Sequence, residues 1–217
     1  MAVGRKLLTE LVGSFLFMTV IALSGSAGQL APLAIGIGLA AMVYMGGHIS
    51  GAHYNPAVSL GVLLRRGINA RTLLLYWVAQ LAGAVLAFTA GWLVSGHTPG
   101  IHPGAGASTV QALAAEIIFT GALVLVVLNV AATPATAGNQ YFGLAIGFTV
   151  AAGAFAVGPI SGGAFNPAVG FGATTVAALS GSGGWSDLWI YFVGPFTGAA
   201  IGAGIHRIQI GALSPPD

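Results

Sequence analysis

Six apolar stretches of about 20 residues run along the chain, near 7–24, 31–47, 71–94, 110–132, 140–158 and 188–207. Short polar or glycine-rich breaks separate them. A helix rises about 1.5 Å per residue, so each stretch is long enough to cross about 30 Å of hydrocarbon and predicts a membrane-spanning helix. Two further apolar runs, 55–64 and 166–178, are too short to cross. Each directly follows a glycine-rich segment that breaks a helix, which predicts two half-helices that enter the membrane and turn back. The expected fold is an all-α membrane protein with six transmembrane helices and two re-entrant half-helices. Arg5 and Lys6 ahead of Leu7 also fit the start of a cleaved leader. Glu10 interrupts that apolar run, however, and the same local pattern returns deep in the chain, so the segment is expected to be the first span.

The second half of the chain repeats the first. HISGAHYNPAV at 48–58 returns as PISGGAFNPAV at 159–169, which places Asn55 and Asn166 111 residues apart. Glu10 is echoed by Glu116, and Tyr76 with Gly83 by Tyr191 with Gly198. Residues 1–105 and 106–217 are therefore expected to be two repeats of one pore domain, each with three spans and one half-helix. Three is odd, so the second repeat enters the membrane from the opposite face. An inverted internal repeat of this kind brings its special segments together near the midplane, where a transport site is expected.

Charge supports the same layout. Only 5% of residues are charged and 56% are hydrophobic, with a mean hydropathy of +0.92, far from the quarter of charged residues typical of a soluble domain. Six basic residues on such a chain form no patch able to neutralise phosphates, which excludes a nucleic-acid partner despite a pI of about 9.3. The lipid bilayer is the expected partner instead. Arg5, Lys6, Arg65, Arg66, Arg71 and Arg207 all fall on one side of the six-span layout, and the loops near 25–30, 95–109 and 159–187 contain no Lys or Arg. Basic residues collect on the cytoplasmic side. A cell-membrane protein with both termini cytoplasmic is the expectation.

The two Asn-Pro-Ala triplets, Asn55-Pro56-Ala57 and Asn166-Pro167-Ala168, suit the start of a helix. Asn is a strong N-cap, and Pro at the first helical position gives up an N–H that lacks a partner there anyway. Half-helices of about ten residues reach about 15 Å, so their N-termini are expected to meet near the bilayer centre. Their partial positive charges repel cations, while the Asn amides can donate to a passing solute. Irregular backbone survives at this depth only against water or protein. The carbonyls of Gly51, Ala52, His53 and Tyr54, and of Gly162, Gly163, Ala164 and Phe165, are therefore expected to line the path.

On these paired motifs, each after Ile-Ser-Gly and each before an apolar half-helix, the sequence resembles the aquaporin or major intrinsic protein family over nearly its whole length. The resemblance implies a right-handed bundle of six tilted helices, a homotetramer with a pore in each subunit, and passive flux of water or small neutral solutes. It also implies a constriction on the outer side of the Asn-Pro-Ala pair, which matching of the motifs places at Ile35, Ala154, Gly163 and Val169. Water-selective members usually carry an aromatic, a His and an Arg there, with the Arg directly after the second Asn-Pro-Ala. Val169 stands at that position here. The expected filter is wider and apolar, open to glycerol, urea, ammonia, hydrogen peroxide, undissociated metalloid acids or dissolved gases. The alternative is a strictly water-selective pore in which Tyr44 or Phe155 refills the gap.

Glu10 and Glu116 lie inside spans, where an unpaired charge costs about 2.5–3.5 kcal/mol. A proton relay is one reading; the preferred one, implied by the resemblance, is that each carboxylate braces a re-entrant loop by accepting its N–H groups. His48 is expected to assist by hydrogen bonding at the cytoplasmic mouth, and His53 to contribute mainly its carbonyl. His97 and His102, among Pro99 and Pro103, read as a solvated outer loop. No metal site or cofactor is expected. No nucleophile–base pair or phosphate loop stands near the motifs, which argues against an enzyme. An ion-coupled secondary transporter shares the inverted repeat, but it needs titratable groups at the midplane that this chain commits to its loops. Gly83, Ala87 and Gly91, and Gly194, Gly198 and Gly202, form small-residue faces expected at helix contacts. Trp77, Trp92, Trp185 and Trp189 are expected to be interfacial anchors or lipid-facing.

Overall fold

A computed structural model describes residues 3–97 and 100–211. Pro99 in the outer loop and the last six positions of the second repeat lie outside the described residues. Eight α-helices follow in order: α1 (Val3–Leu23), α2 (Ala31–Ser50), α3 (Pro56–Leu64), α4 (Ala70–Ser95), α5 (Thr109–Val127), α6 (Phe142–Ser161), α7 (Pro167–Leu179) and α8 (Ile190–Ile210). The sequence of long, long, short and long thus occurs twice, and the described residues contain no strand. A 3-10 stretch, Ser24–Leu30, joins α1 to α2, and a π turn, Leu128–Ala132, continues α5. Residues 3–50, 70–95, 109–132 and 142–161 are both long and apolar enough to cross a membrane, the first of these containing α1 and α2. Helix α8 has the length at 21 residues but is less apolar, since it carries His206 and Arg207 near its end.

The long helices pack in the series α4, α1, α2, α6, α5, α8, and small residues let their backbones approach. A Cβ added to Gly83 would stand 2.7 Å from the carbonyl oxygen of Leu11, and one on Gly91 would meet Ala22, so α4 lies directly on α1. Likewise a Cβ on Gly198 would stand 2.3 Å from the Ile117 carbonyl oxygen and one on Gly202 would stand 2.5 Å from that of Gly121, which puts α8 on α5. The two halves join where Gly36 on α2 faces Gly147 on α6. Each half-helix then packs on the last long helix of the other half, α3 on α8 and α7 on α4. The halves are interlocked, so neither can form the centre of the molecule alone.

The half-helices start where the sequence expects. Gly51 and Gly162 end α2 and α6 with φ of 92° and 89°, a left-handed turn that favours Gly because it has no Cβ. Three residues of open chain follow, and Asn55 and Asn166 begin the next helices in extended conformation. The side-chain oxygen of Asn55 accepts from the N–H groups of Ala57 and Val58, and that of Asn166 from Ala168. At nine and thirteen residues, α3 and α7 span about 14 Å and about 20 Å, too little to cross.

Candidate functional site

The two open segments before the half-helices take an unusual backbone path. Tyr54 and Phe165, at equivalent places in the repeat, both have φ of 48°, and Ala52 has φ of 50° opposite Gly163 at 65°. A residue with a Cβ pays roughly 1–2 kcal/mol for that left-handed conformation, so something must hold it. Two buried carboxylates do. Glu10 Oε1 accepts from the Ser50 hydroxyl at 2.6 Å and the His53 N–H at 3.0 Å; its Oε2 accepts from the Tyr54 N–H at 2.8 Å and Gln80 Nε2 at 2.9 Å. Glu116 repeats the pattern on Ser161 (2.8 Å), Ala164 (3.0 Å) and Phe165 (2.7 Å). Both glutamates are 0% exposed. Every oxygen of each carboxylate is occupied by donors, which is how a buried charge is tolerated.

Tyr76 and Tyr191 complete the brace, each donating its hydroxyl at 2.7 Å to the carbonyl of Ser50 or Ser161. His48 does not take part. It is exposed on the last turn of α2 and makes no hydrogen bond to the loop, because the Ser50 hydroxyl and the Gln80 amide already fill the carboxylate's remaining positions. The seryl and tyrosyl partners were visible in the sequence as repeated residues, Ser50 with Ser161 and Tyr76 with Tyr191. Gln80 was not, since the matching place in α8 holds Pro195.

The two Asn side chains meet the opposite loops. Asn55 Nδ2 donates to the Phe165 carbonyl and Asn166 Nδ2 to the Tyr54 carbonyl, both at 2.9 Å. Each Asn therefore caps its own helix with its oxygen and straps the other half with one N–H. The second N–H of each amide is left over for the cavity. The Tyr54 and Phe165 carbonyls each accept from the opposite Asn, and both residues also line the cavity. Gly51 closes α2 and does not line the cavity, whereas Ala52, His53, Gly162, Gly163 and Ala164 do.

That cavity, about 690 Å³, runs past both Asn residues. Ile35, Ala154, Gly163 and Val169 all line it. Its wall is otherwise largely aliphatic, with Phe17, Leu39, Leu123, Val127, Ile146 and Val150. The polar side chains presented to it are Gln29, His53, Asn55 and Asn166 besides the largely buried Tyr54, and among the described residues no Asp, Glu, Lys or Arg lines it. Val169 is 1% exposed, packed on the wall three residues after Asn166. Tyr44 is absent from the wall. Its hydroxyl donates to the Gln140 carbonyl and its ring packs edge-on against Phe142. Phe155 does line the cavity and is 51% exposed.

His53 has a partner of its own. Its Nδ1 lies 2.9 Å from the Ser59 hydroxyl, which also receives Gln80 Nε2 at 3.0 Å. Gln80 must turn its nitrogen to the Glu10 carboxylate, so Ser59 accepts from Gln80 and pairs with His53 Nδ1 through a remaining position. The equivalent places in the second half are Ala164 and Gly170, and the relay exists on one side only. Trp77, expected only as an anchor, donates its indole N–H to the Pro56 carbonyl at 3.0 Å and so holds the first turn of α3. Trp92, Trp185 and Trp189 are exposed.

Comparison with known proteins agrees with this geometry. The sequence profile of the Major intrinsic protein family matches residues 1–206. Aquaporin NIP1-1 of Zea mays is 36% identical, over 94% of this chain and 74% of its own length. An Arabidopsis thaliana protein described as "Probable aquaporin TIP2-2" is 37% identical, over 84% of this chain and 70% of its own. Among solved structures, the aquaglyceroporin from Plasmodium falciparum superposes with a TM-score of 0.83 at 21% identity, covering 94% of this chain and 95% of that one, which shows the shared fold. With the family profile spanning nearly the whole chain, the protein belongs to the major intrinsic protein family, the aquaporins, and is a passive membrane channel for water or small solutes, not an enzyme.

Proposed function

We propose that this channel passes neutral solutes larger than water, through an outer constriction formed by Ile35, Ala154, Gly163 and Val169. The observation that supports the reading is Val169: an apolar side chain on the cavity wall directly after the second Asn-Pro-Ala, with no charged side chain along that wall among the described residues. A solute crossing such a gate keeps few hydrogen bonds and meets no fixed positive charge, so size and polarity are discriminated weakly. Exclusion of ions then falls to the centre, where the N-termini of α3 and α7 present their partial positive charges. Glycerol, urea, ammonia, hydrogen peroxide, undissociated metalloid acids and dissolved gases are the candidate cargoes, with water as the minimum. We further infer a homotetramer in the cell membrane with both termini cytoplasmic, and two repeats, residues 1–105 and 106–217, forming one pore.

Val169→Arg tests the constriction in proteoliposomes. The substitution restores a cation at the gate, and glycerol and urea flux should fall by about tenfold or more while water flux falls less. Unchanged glycerol and urea flux would place the selective point elsewhere. A second reading, a water-selective pore narrowed by another side chain, is favoured by the position of Phe155 on the wall. Under that reading Phe155→Ala should open the channel to glycerol; under ours it leaves glycerol flux near its starting value.

A further inference from the structure

At the basic end of the bundle, three elements distant in sequence meet on one imidazole. His206, near the end of α8, is 0% exposed, and Arg65, which ends α3, is 5% exposed. Arg65 Nε donates to His206 Nδ1 at 2.9 Å. His206 Nε2 lies 2.9 Å from the Thr133 hydroxyl, which follows the π turn after α5 and donates at 2.9 Å to the Leu128 carbonyl. A terminal guanidinium nitrogen of Arg65 also donates to the carbonyl of Gly211, the residue that closes α8.

Chemistry assigns every proton in this chain. A guanidinium only donates, so Nδ1 of His206 is bare; a neutral ring with a bare Nδ1 carries its hydrogen on Nε2; that hydrogen goes to Thr133, whose own goes to Leu128. The arrangement works only while His206 is neutral. A proton on Nδ1 would point at the Nε–H of Arg65 and set two buried cations side by side. Among the described residues no carboxylate is at hand to compensate. Glu10 and Glu116 are committed to the two loops, and Asp187 lies with His102 on the wall of a separate cavity. The other charged group acting on Arg65 is Arg207, also a cation. From the elements packed on α8, Glu116 is the titratable group of α5, α7 has none, and α3 offers only Arg65 at its end.

We propose that Arg65, His206 and Thr133 form an acid-sensitive latch that keeps the channel open while His206 is neutral. Protonation releases the end of α3 from α8 and from the π turn. Both walls bear on the path: Val58 on α3 and Val127, the last residue of α5, line the cavity, and α3 begins at Asn55. Losing their common anchor lets these walls collapse inward, and flux falls.

The test is water flux by stopped-flow light scattering in proteoliposomes, with the same buffer inside and out, stepped from about pH 7.5 to about pH 4.5, which reaches below the range of an ordinary histidine because the adjacent guanidinium opposes a second cation. Wild type should lose about threefold or more of its flux, reversibly, while His206→Gln stays level, because a glutamine offers Arg65 an oxygen and Thr133 an N–H without titrating. Wild-type flux that does not change, or an equal fall in both proteins, overturns the latch. Hydrogen exchange on the wild type gives a second readout that needs no variant to fold. After correction for intrinsic rates, amides at 133, 135–139 and 65–67 should lose protection at the lower pH; a fall in flux with their protection intact also overturns it.

Discussion

Replacing Glu116 by Gln removes one oxygen from a site where three donors converge, and the cost can be counted. The carboxylate takes Ser161 Oγ and Ala164 N on one oxygen and Phe165 N on the other. The amide does least harm with its oxygen toward Ser161 and Ala164. Its NH₂ then faces the Phe165 N–H, leaving that donor and the new amide hydrogens unmade at about 1–3 kcal/mol, and the two surviving bonds lose charge assistance at about 1 kcal/mol each. Relief from burying a charge offsets part of this, and the net loss is about 2–4 kcal/mol. Phe165 sits at φ 48° and its carbonyl receives Asn55, so the damage reaches the strap across the centre. Scanning fluorimetry of the purified channel should show the unfolding midpoint lowered by roughly 5–15 °C, at about 2–4 °C per kcal/mol for a chain of this size. Solute selectivity per folded channel should change less than stability does. An unfolding midpoint indistinguishable from wild type would refute the bracing role.

Glu10→Gln should lower the midpoint less, because the Gln80 oxygen, buried and without a partner, can turn to accept from the new amide. Asn55→Asp keeps the oxygen that caps α3 but loses the N–H given to the Phe165 carbonyl, and is expected to cost about 1–3 kcal/mol by the same assay. Gly198→Ala drives a Cβ to 2.3 Å from the Ile117 carbonyl oxygen and should destabilise by about 1–3 kcal/mol or more, whereas Gly204→Ala, with open space around it, should be near neutral. Gly163→Ala should fold, since its counterpart Ala52 already holds φ 50°, and should reduce glycerol flux by narrowing the proposed gate.

Much of the fold is legible in the sequence because lipid leaves a chain few choices. Apolar length alone marks the long helices, and the observed bounds depart from those stretches by a few residues, chiefly where α1 begins earlier and α2 and α6 run on to Ser50 and Ser161 before Gly takes a left-handed turn. The brace at Glu10 and Glu116 is legible in part: a charge inside a span needs donors and the repeat pairs the two glutamates, while the loop that supplies the donors came from the family resemblance. What sequence could not give is the use of second hydrogens and lone pairs. That each Asn amide straps the opposite loop, taking the Tyr54 and Phe165 carbonyls, depends on the two halves interlocking at a register no local pattern encodes. Gln80, Ser59 and the Arg65–His206 pair lack counterparts in the other half, so the repeat gave no second sighting of them. His48 misled for the opposite reason. Adjacency to a motif suggested a role, while the helical turn carries its ring outward.

Uptake of glycerol and urea into proteoliposomes, followed by light scattering with and without an imposed membrane potential or pH gradient, tests the central claim most directly. A passive pore with an apolar gate predicts uptake well above protein-free vesicles, unaltered by either gradient. Uptake that tracks the ion gradient, or vesicles permeable to water alone, would contradict it.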